Sequence, residues 1–320
     1  MIGALLIAGL GLLTISLFLA PIEALGWWAG WFGEGELGEA PKGPQSRNDY
    51  REIGAGKTAE RYVVYLDGIA KVGHGNYDDV SGLLDRLSSG LPRSVVLGDI
   101  LPYSVTNVEL IQGRPFSRFW RRMLQFKLEG RRPLLAFSIN ARNLLQVLVA
   151  ADGRYAPIYG RGEARMIVAA LLARGYRPAS GTPVVIVGYS GGVQVGLVTA
   201  PFLKRALQAP ITMISLAGVM ASEPGMDELE HFHHLEAHSD KIPSWGRLMF
   251  PGRWSVMSYS YYNRLKRSGR YSSYEMGDMR HNGAGSYLDD HVISDGISHQ
   301  QATAERLIGI IAAVESHPRT

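Results

Sequence analysis

Apolar and polar residues alternate along the chain with two different periods from about residue 61 onward. Short apolar, β-branched or aromatic runs predict strands, and runs with apolar residues on one helical face predict helices between them. The predicted strands cover residues 61–66, 94–97, 184–187, 211–216, 234–238 and 271–276. The predicted helices cover residues 79–87, 163–174, a stretch after 190 that is disturbed at Pro201, and 300 to about 314. This alternation predicts an α/β fold with a mostly parallel sheet and helices on both faces.

The N-terminal residues 2–20 form an apolar run without a charged residue. Such a run is long enough to cross the hydrocarbon core of a bilayer as a helix. Pro21 and Glu23 end it, and tryptophans follow as an interfacial belt would, at Trp27, Trp28 and Trp31. A cleaved signal peptide is the alternative, but no basic residue precedes the run and no clear cleavage site follows it. We therefore expect residues 1–32 to be a retained, single-pass membrane anchor.

Residues 33–60 are rich in glycine, proline and charge without periodicity, which is typical of a linker. Basic residues occur here, at Lys42, Arg47 and Arg51, and none precedes the apolar run. This asymmetry favours the cytoplasmic side of the membrane for the rest of the chain. Residues 54–58 resemble part of a phosphate-binding loop, but the full pattern needs a glycine at position 51 and a preceding strand. A plain linker is therefore the favoured interpretation.

The composition excludes several classes of site. The chain has 33 basic and 29 acidic residues, and this small excess does not indicate a nucleic-acid partner. It would suit contact with anionic lipid headgroups. Because the chain contains no cysteine, it has no disulfide, no thiolate metal site and no cysteine nucleophile.

The segment Gly188-Tyr189-Ser190-Gly191-Gly192 has the spacing of a nucleophile elbow, G-x-S-x-G. Glycines two residues before and after the serine permit a sharp turn from strand to helix, which projects the serine oxygen above the sheet. A predicted central strand precedes this turn and a helix-compatible run follows it. A glycine-rich turn that binds nothing or a phosphate is the alternative. The context favours Ser190 as a catalytic nucleophile.

From about residue 61 to the C-terminus the chain resembles the α/β-hydrolase superfamily in its esterase and lipase branch, with the elbow as the specific motif. The resemblance implies one hydrolase domain over residues 61–320 and no cofactor. It also implies an acid and then a histidine after the serine. Asp240, which follows the predicted strand 234–238, is the expected acid, with Glu223 and Asp227 as alternatives. His281 is the expected base, with His291 and His299 as alternatives.

An oxyanion hole needs two backbone N–H donors. The resemblance assigns one to Gly191, the residue after the nucleophile. The second is expected in the loop after the first strand, from Gly68 or Ile69. This loop reads Asp67-Gly68-Ile69, and so lacks the His-Gly pair that is common in such enzymes.

Two further features permit more than one interpretation. Four histidines lie close together in sequence, at His231, His233, His234 and His238, but pocket or surface positions are favoured over a metal site. Residues 103–160 form a long, partly helical section that is first basic and aromatic and then apolar. It is interpreted as a helical cap or a membrane-interfacial helix, with an ordinary amphipathic surface helix as the equal alternative.

These observations lead to the expectation of a membrane-anchored serine hydrolase that cleaves carboxylic esters through a Ser-His-Asp triad and an acyl-enzyme. The expected partners are the lipid bilayer and a small-molecule or lipid ester; neither metal, cofactor nor nucleic acid is expected. The alternatives are an acyltransferase or thioesterase that uses the same triad, and a non-catalytic membrane-tethered binding module with this fold.

Overall fold

The computed structural model describes residues 59–70, 78–103, 117–129, 133–291 and 296–314, together with Gly11 and Thr14 individually. The predicted anchor, apart from these two residues, and the predicted linker up to residue 58 lie outside the described residues. So does the phosphate-loop-like segment 54–58. Within the described part of the chain, no helix has both the length and the hydropathy needed to span a bilayer.

Six parallel strands form a single sheet in the described residues, in the order β2-β1-β3-β4-β5-β6. The strands are β1 Arg61–Leu66, β2 Ser94–Leu97, β3 Val184–Tyr189, β4 Ile211–Leu216, β5 His231–Glu236 and β6 Tyr271–Glu275. β3 lies inside the sheet, between β1 and β4, and all six of its residues are buried. Because every strand runs in the same direction, the loops that follow the strands all leave from one edge, which we term the carboxyl edge.

The described residues contain eight α-helices, of which seven lie between strands and the last follows β6. They are α1 Asp78–Gly90, α2 Ser117–Leu128, α3 Pro133–Ala151, α4 Ala156–Ala173, α5 Gly192–Leu207, α6 Ile242–Met249, α7 Tyr261–Arg267 and α8 His299–Ala312. The α/β alternation predicted from the sequence is confirmed, and this architecture is compatible with an α/β-hydrolase-like fold.

The two faces of the sheet bury alternate residues of each strand, as the period of a β-strand requires. On one face, Val64 and Ile186 pack in a cluster with residues of α4, α5 and α7. On the other face, Val63 and Val185 pack with residues of α1 and α8. The sheet is therefore covered on both sides, which explains why its central strands are almost wholly apolar.

Several elements differ from the sequence prediction. Helix α4 begins at Ala156 rather than at residue 163. Helix α5 is not disturbed at Pro201 but continues through it to Leu207. Pro201 has no N–H to donate to the Leu197 carbonyl. The backbone of Gly225 packs against that oxygen, where an added Cβ would overlap it. The fifth strand begins at His231 and ends at Glu236, so His238 lies beyond it. Pairing with β4 and β6 on both sides, rather than the local apolar pattern, fixes these ends.

Helices α4 and α5 approach each other closely at Gly160, where an added Cβ would overlap the Val198 carbonyl. We expect Gly160→Ala to lower the free energy of unfolding by about 1–3 kcal/mol, because the backbone of α5 cannot yield to the methyl group. Gly309→Ala in α8 is the matched control, since nothing lies within 4 Å of a Cβ at that position. It should be neutral or stabilise by up to about 1 kcal/mol through helix propensity. Urea unfolding of both variants measures the difference, and equal effects would contradict this account of the helix contact.

Candidate active site

The turn at Ser190 places its side chain at the centre of the carboxyl edge. Ser190 adopts φ +52°, a left-handed conformation that is uncommon outside glycine, and its N–H donates to the Leu216 carbonyl at 2.9 Å. A Cβ at Gly188 would lie 2.8 Å from the Val193 nitrogen, and one at Gly192 would overlap the Leu66 carbonyl. The strand and helix are thus packed too closely around the turn for side chains at either glycine.

Three side chains that the sequence places far apart form one hydrogen-bonded chain. The Ser190 Oγ lies 2.8 Å from His281 Nε2, and His281 Nδ1 lies 2.7 Å from Asp240 Oδ2. A carboxylate only accepts hydrogen bonds, so this geometry places the imidazole proton on Nδ1. Nε2 is then the acceptor for the Ser190 hydroxyl. The residue exposure of Ser190 is 5% and that of Asp240 is 3%, so both groups are shielded from bulk water.

The Asp240 carboxylate is held by a backbone donor as well as by His281. Its Oδ1 accepts the Ile242 N–H at 2.9 Å, at the start of α6. The Tyr287 hydroxyl lies near the same carboxylate and accepts the Ala237 N–H at 2.7 Å. Burial raises the pKa of Tyr287, and the neighbouring Asp240 charge raises it further, so the phenol keeps its proton. These bonds fix the carboxylate in the position from which it orients the imidazole.

Tyr189 fixes the other side of the imidazole. Its ring stacks on that of His281, with 5.7 Å between the ring centroids and 16° between the planes. Its hydroxyl donates to the His281 carbonyl. Burial is the main cause of the raised pKa of Tyr189, so it remains a donor at neutral pH. His281 is therefore held through both its ring and its backbone.

Two backbone N–H groups beside Ser190 are available to bind an oxyanion. Within the described residues, neither the Gly191 N–H nor the Ile69 N–H donates a hydrogen bond. The Gly68 N–H instead donates to Asp67 Oδ1 at 2.7 Å. The role of Gly68 is close approach, because a Cβ there would lie 3.3 Å from the Ser190 Cβ. Of the three candidates, Gly191 and Ile69 therefore have the free donors.

Helix α3 covers this side of the site, although the sequence does not single out its polar residues. Asn143 Nδ2 donates to the Ile69 carbonyl at 2.8 Å, and Arg142 donates to the Tyr103 carbonyl at 3.1 Å. The Tyr103 hydroxyl in turn donates to the Asp67 carbonyl at 2.9 Å. Asn143 and Arg142 are both almost fully buried. They hold the loop after β1 in place beside Ser190.

Three of the four alternative acids and bases have other partners. Glu223 accepts a hydrogen bond from Gln194 at 2.7 Å, and Asp227 pairs with Arg264. The exposed His291 is bonded to Asp289 at 2.7 Å. His299 is the first residue of α8, and its Nδ1 is buried without a hydrogen-bond partner among the described residues. Among these acids and histidines, the pair that reaches Ser190 is Asp240 with His281.

The histidines at 231–238 are each bonded to a different neighbour. His231 lies 2.8 Å from the Ser272 hydroxyl, His233 lies 3.0 Å from that of Tyr274, and His234 lies 2.8 Å from that of Ser215. His238 is exposed beyond β5. In the described part of the chain, ligand atoms close enough together for a metal ion occur at the largely exposed group Asp289, Asp290 and His291, which includes none of these four histidines.

No protein-family model matches the chain, and no curated protein sequence matches it either. Function is therefore inferred from the geometry of the site.

Three groups of supporting residues have no distinct signal in the sequence: Tyr189, Tyr287, and the pair Arg142 and Asn143. Tyr189 occupies the variable position of the elbow motif, where any residue satisfies the pattern. Tyr287 and the α3 pair act through contacts across long stretches of chain. A polar residue on the otherwise apolar face of α3 is the one available hint, because buried polar groups need partners.

Glu223 should make the free energy of unfolding depend on pH. Burial raises its pKa from 4.5 to about 7, partly offset by the hydrogen bond from Gln194. Between these two values the folded chain binds more protons than the unfolded chain, so stability should fall as the pH rises through that range. The loss should amount to roughly 2–3 kcal/mol. Glu223→Gln keeps the acceptor for Gln194 and should remove this part of the slope, as urea unfolding at pH values spanning the range would show. The part due to Glu163, whose pKa burial also raises, should remain. A wild-type slope that persists undiminished in the variant would rule out Glu223 as its source.

Proposed function

We propose that this protein is a serine hydrolase of the α/β-hydrolase type that cleaves carboxylic esters. The observation that carries the proposal is the continuous hydrogen-bonded chain from Ser190 through His281 to Asp240. Such a chain gives a serine hydroxyl the base that it needs to become a nucleophile.

In the first half-reaction, the Ser190 oxygen attacks the ester carbonyl carbon while His281 Nε2 takes the hydroxyl proton. Asp240 stabilises the imidazolium that forms, without itself becoming protonated. The carbonyl oxygen gains negative charge and is bound by the N–H groups of Gly191 and Ile69. Collapse of the tetrahedral intermediate breaks the bond to the alkoxy oxygen. His281 returns its proton to the departing alcohol, and the acyl group remains on Ser190.

In the second half-reaction, water takes the place of the alcohol. His281 accepts a proton from this water as its oxygen attacks the acyl carbon. The second tetrahedral intermediate is bound by the same two N–H groups. Its collapse releases the carboxylic acid, and the proton returns from His281 to Ser190. No metal or cofactor takes part in either half-reaction.

The proposed substrates are acyl or lipid esters, and the proposed location is a membrane surface. The side chains of Ile69 and Val147 lie against Gly191 together with the Tyr103 hydroxyl, so the oxyanion side of the site is mainly apolar. An apolar wall at the reacting carbon suits an acyl chain. The uncharged run 2–20 would tether the domain to a membrane, on its cytoplasmic side, where lipid or acyl esters are concentrated.

Covalent labelling by a fluorophosphonate probe tests the nucleophile. We expect the wild-type protein to be labelled, Ser190→Ala not to be labelled, and His281→Ala to react at a greatly lower rate.

Hydrolysis of a soluble short-chain ester should fall by about 10⁴-fold in Asp240→Asn, because the imidazole loses its orienting carboxylate.

The controls are variants of the alternative acid and base, Glu223→Gln and His291→Ala. Both should keep near wild-type labelling and hydrolysis. Circular dichroism establishes that each variant is folded. A folded wild-type protein that is not labelled at Ser190 would overturn the hydrolase proposal in favour of a non-catalytic binding module.

Tyr287 is proposed as a positioning residue for Asp240. Tyr287→Phe leaves the buried Ala237 N–H, three residues before Asp240, without its acceptor, a cost of about 1–3 kcal/mol, so we expect kcat to fall about tenfold with little change in KM. Tyr259→Phe is the matched control, because this tyrosine is 89% exposed. The pH at which the rate is half-maximal should also rise or fall in Tyr287→Phe, which a change of overall stability alone would not produce. An unchanged kcat and pH profile would exclude the positioning role.

A further inference from the structure

Residues 241–270, which follow directly after Asp240, contain seven basic residues and no acidic residue. The whole chain has 29 acidic residues, so a stretch of this length without one is unusual. Five of the seven basic residues have exposed side chains: Lys241, Arg247, Arg264, Lys266 and Arg267. This part of the surface therefore carries a local excess of positive charge.

The same segment exposes most of the large apolar side chains on the described surface. Thirteen such side chains are exposed in the described residues, and eight of them lie between residues 242 and 259. We term these eight the Trp245 surface: Ile242, Trp245, Leu248, Met249, Trp254, Val256, Met257 and Tyr259. Trp245 and Leu248 are each 61% exposed, and Val256 is 78% exposed. A concentration of exposed large apolar side chains in one short segment is typical of an interaction site.

The Trp245 surface is held out from the core by specific contacts. The buried face of α6 includes Gly246, where an added Cβ would lie 3.1 Å from Val219. The Trp254 indole donates to the Arg247 carbonyl at 3.0 Å. Asn263 on α7 donates to the carbonyls of both Trp254 and Met257. Because the backbone is fixed in this way, the apolar side chains cannot turn inward and remain available to a partner.

The Trp245 surface also adjoins the candidate active site. The Ile242 N–H binds Asp240 directly. Val219, against which α6 packs, donates its N–H to the Ser190 carbonyl at 3.1 Å. Both loops leave from the carboxyl edge of the sheet. A partner bound to the Trp245 surface would therefore lie close to Ser190.

We propose that the Trp245 surface docks on a bilayer that contains anionic lipids. Exposed tryptophan, tyrosine and aliphatic side chains with basic residues around them match the chemistry of the bilayer interface. Lysine and arginine near the membrane surface are attracted to anionic headgroups. Arg247 and Arg264 are paired with Glu236 and Asp227, so the exposed cations of this segment that have no carboxylate partner among the described residues are Lys241, Lys266 and Arg267.

Charge disfavours a second copy of this chain as the occupant. Pairing of two identical Trp245 surfaces would bring the three exposed cations without a carboxylate partner of one copy against those of the other, with no acidic residue in either segment. Like charges at an interface are strongly unfavourable. An anionic lipid surface presents the opposite charge over a wide area, so it complements both the apolar and the basic residues of the segment.

The docking can be measured on the full-length chain, which has no native cysteine. Ser255→Cys places a single environment-sensitive fluorophore within the Trp245 surface, between the exposed Trp254 and Val256. Ser89→Cys is the matched control. Ser89 is exposed near the end of α1, at the amino ends of the strands and so away from the carboxyl edge. Both labelled proteins are incorporated into phosphatidylcholine vesicles, with and without phosphatidylserine, and quenching by spin-labelled lipid is recorded.

We expect the fluorophore at position 255 to shift to shorter wavelength and to be quenched several-fold more than that at position 89. The effect should be stronger with phosphatidylserine and weaker at high salt. Trp245→Ser with Leu248→Ser should abolish the difference between the two positions. Lys241→Gln with Arg267→Gln should lower the ratio of docked to undocked protein roughly fivefold per charge removed.

Three results would overturn the proposal. Equal quenching at positions 255 and 89 would show that the bilayer does not reach the Trp245 surface. A shift that grows with the protein-to-lipid ratio, without quenching by the lipid, would assign the surface to a second copy. A shift that depends on neither lipid nor protein concentration would assign it to another segment of the same chain. None of these readouts requires Ser190 to be a nucleophile, so failure of the hydrolase proposal would be seen separately by fluorophosphonate labelling.

Discussion

The bond between His281 and Asp240 depends on the distance between two loops that leave the same edge of the sheet. Asp240 follows β5 and His281 follows β6, and these strands are neighbours in parallel register. Ser190 follows β3, two strands away from β5. The imidazole can therefore bridge the serine and the carboxylate only if the distances between the ends of these three strands are fixed. The two hydrophobic clusters on either face of the sheet supply that rigidity.

Side chains that take no direct part in the proposed chemistry hold Ser190, His281 and Asp240 and their neighbouring loops in place. Tyr189 holds His281 by stacking and through its carbonyl, and Tyr287 accepts the N–H of Ala237, three residues before Asp240. Asn143 holds the loop that presents the Ile69 N–H. Each contact removes a degree of freedom that would otherwise lengthen a hydrogen bond. Electrostatic catalysis depends on such preorganisation, because the charges that develop during reaction meet groups already in position.

The surface beside the triad has a different character from the rest of the described molecule. Most exposed apolar side chains are concentrated between residues 242 and 259, in a segment that begins two residues after Asp240. The same backbone that bonds the carboxylate through the Ile242 N–H continues into α6 and presents Trp245. If this surface docks on a bilayer, the site would face molecules that partition into that bilayer. The proposed chemistry and the proposed docking are thus linked by one short element.

The sequence by itself determined the alternation of strands and helices and the turn at Ser190, because both are local. A strand or helix shows in the spacing of apolar residues over one element, and the elbow shows in five consecutive residues. Chain order could rank the candidate acids Asp240, Glu223 and Asp227 and the candidate bases His281, His291 and His299. Only the tertiary structure decided which acid and which histidine lie within hydrogen-bond distance of each other and of Ser190. It also decided the roles of Tyr189, Tyr287 and Asn143, the engagement of the Gly68 N–H by Asp67, and the passage of α5 through Pro201. Each of these depends on which distant backbone lies within hydrogen-bond or van der Waals distance, and the order and packing of the strands set that distance.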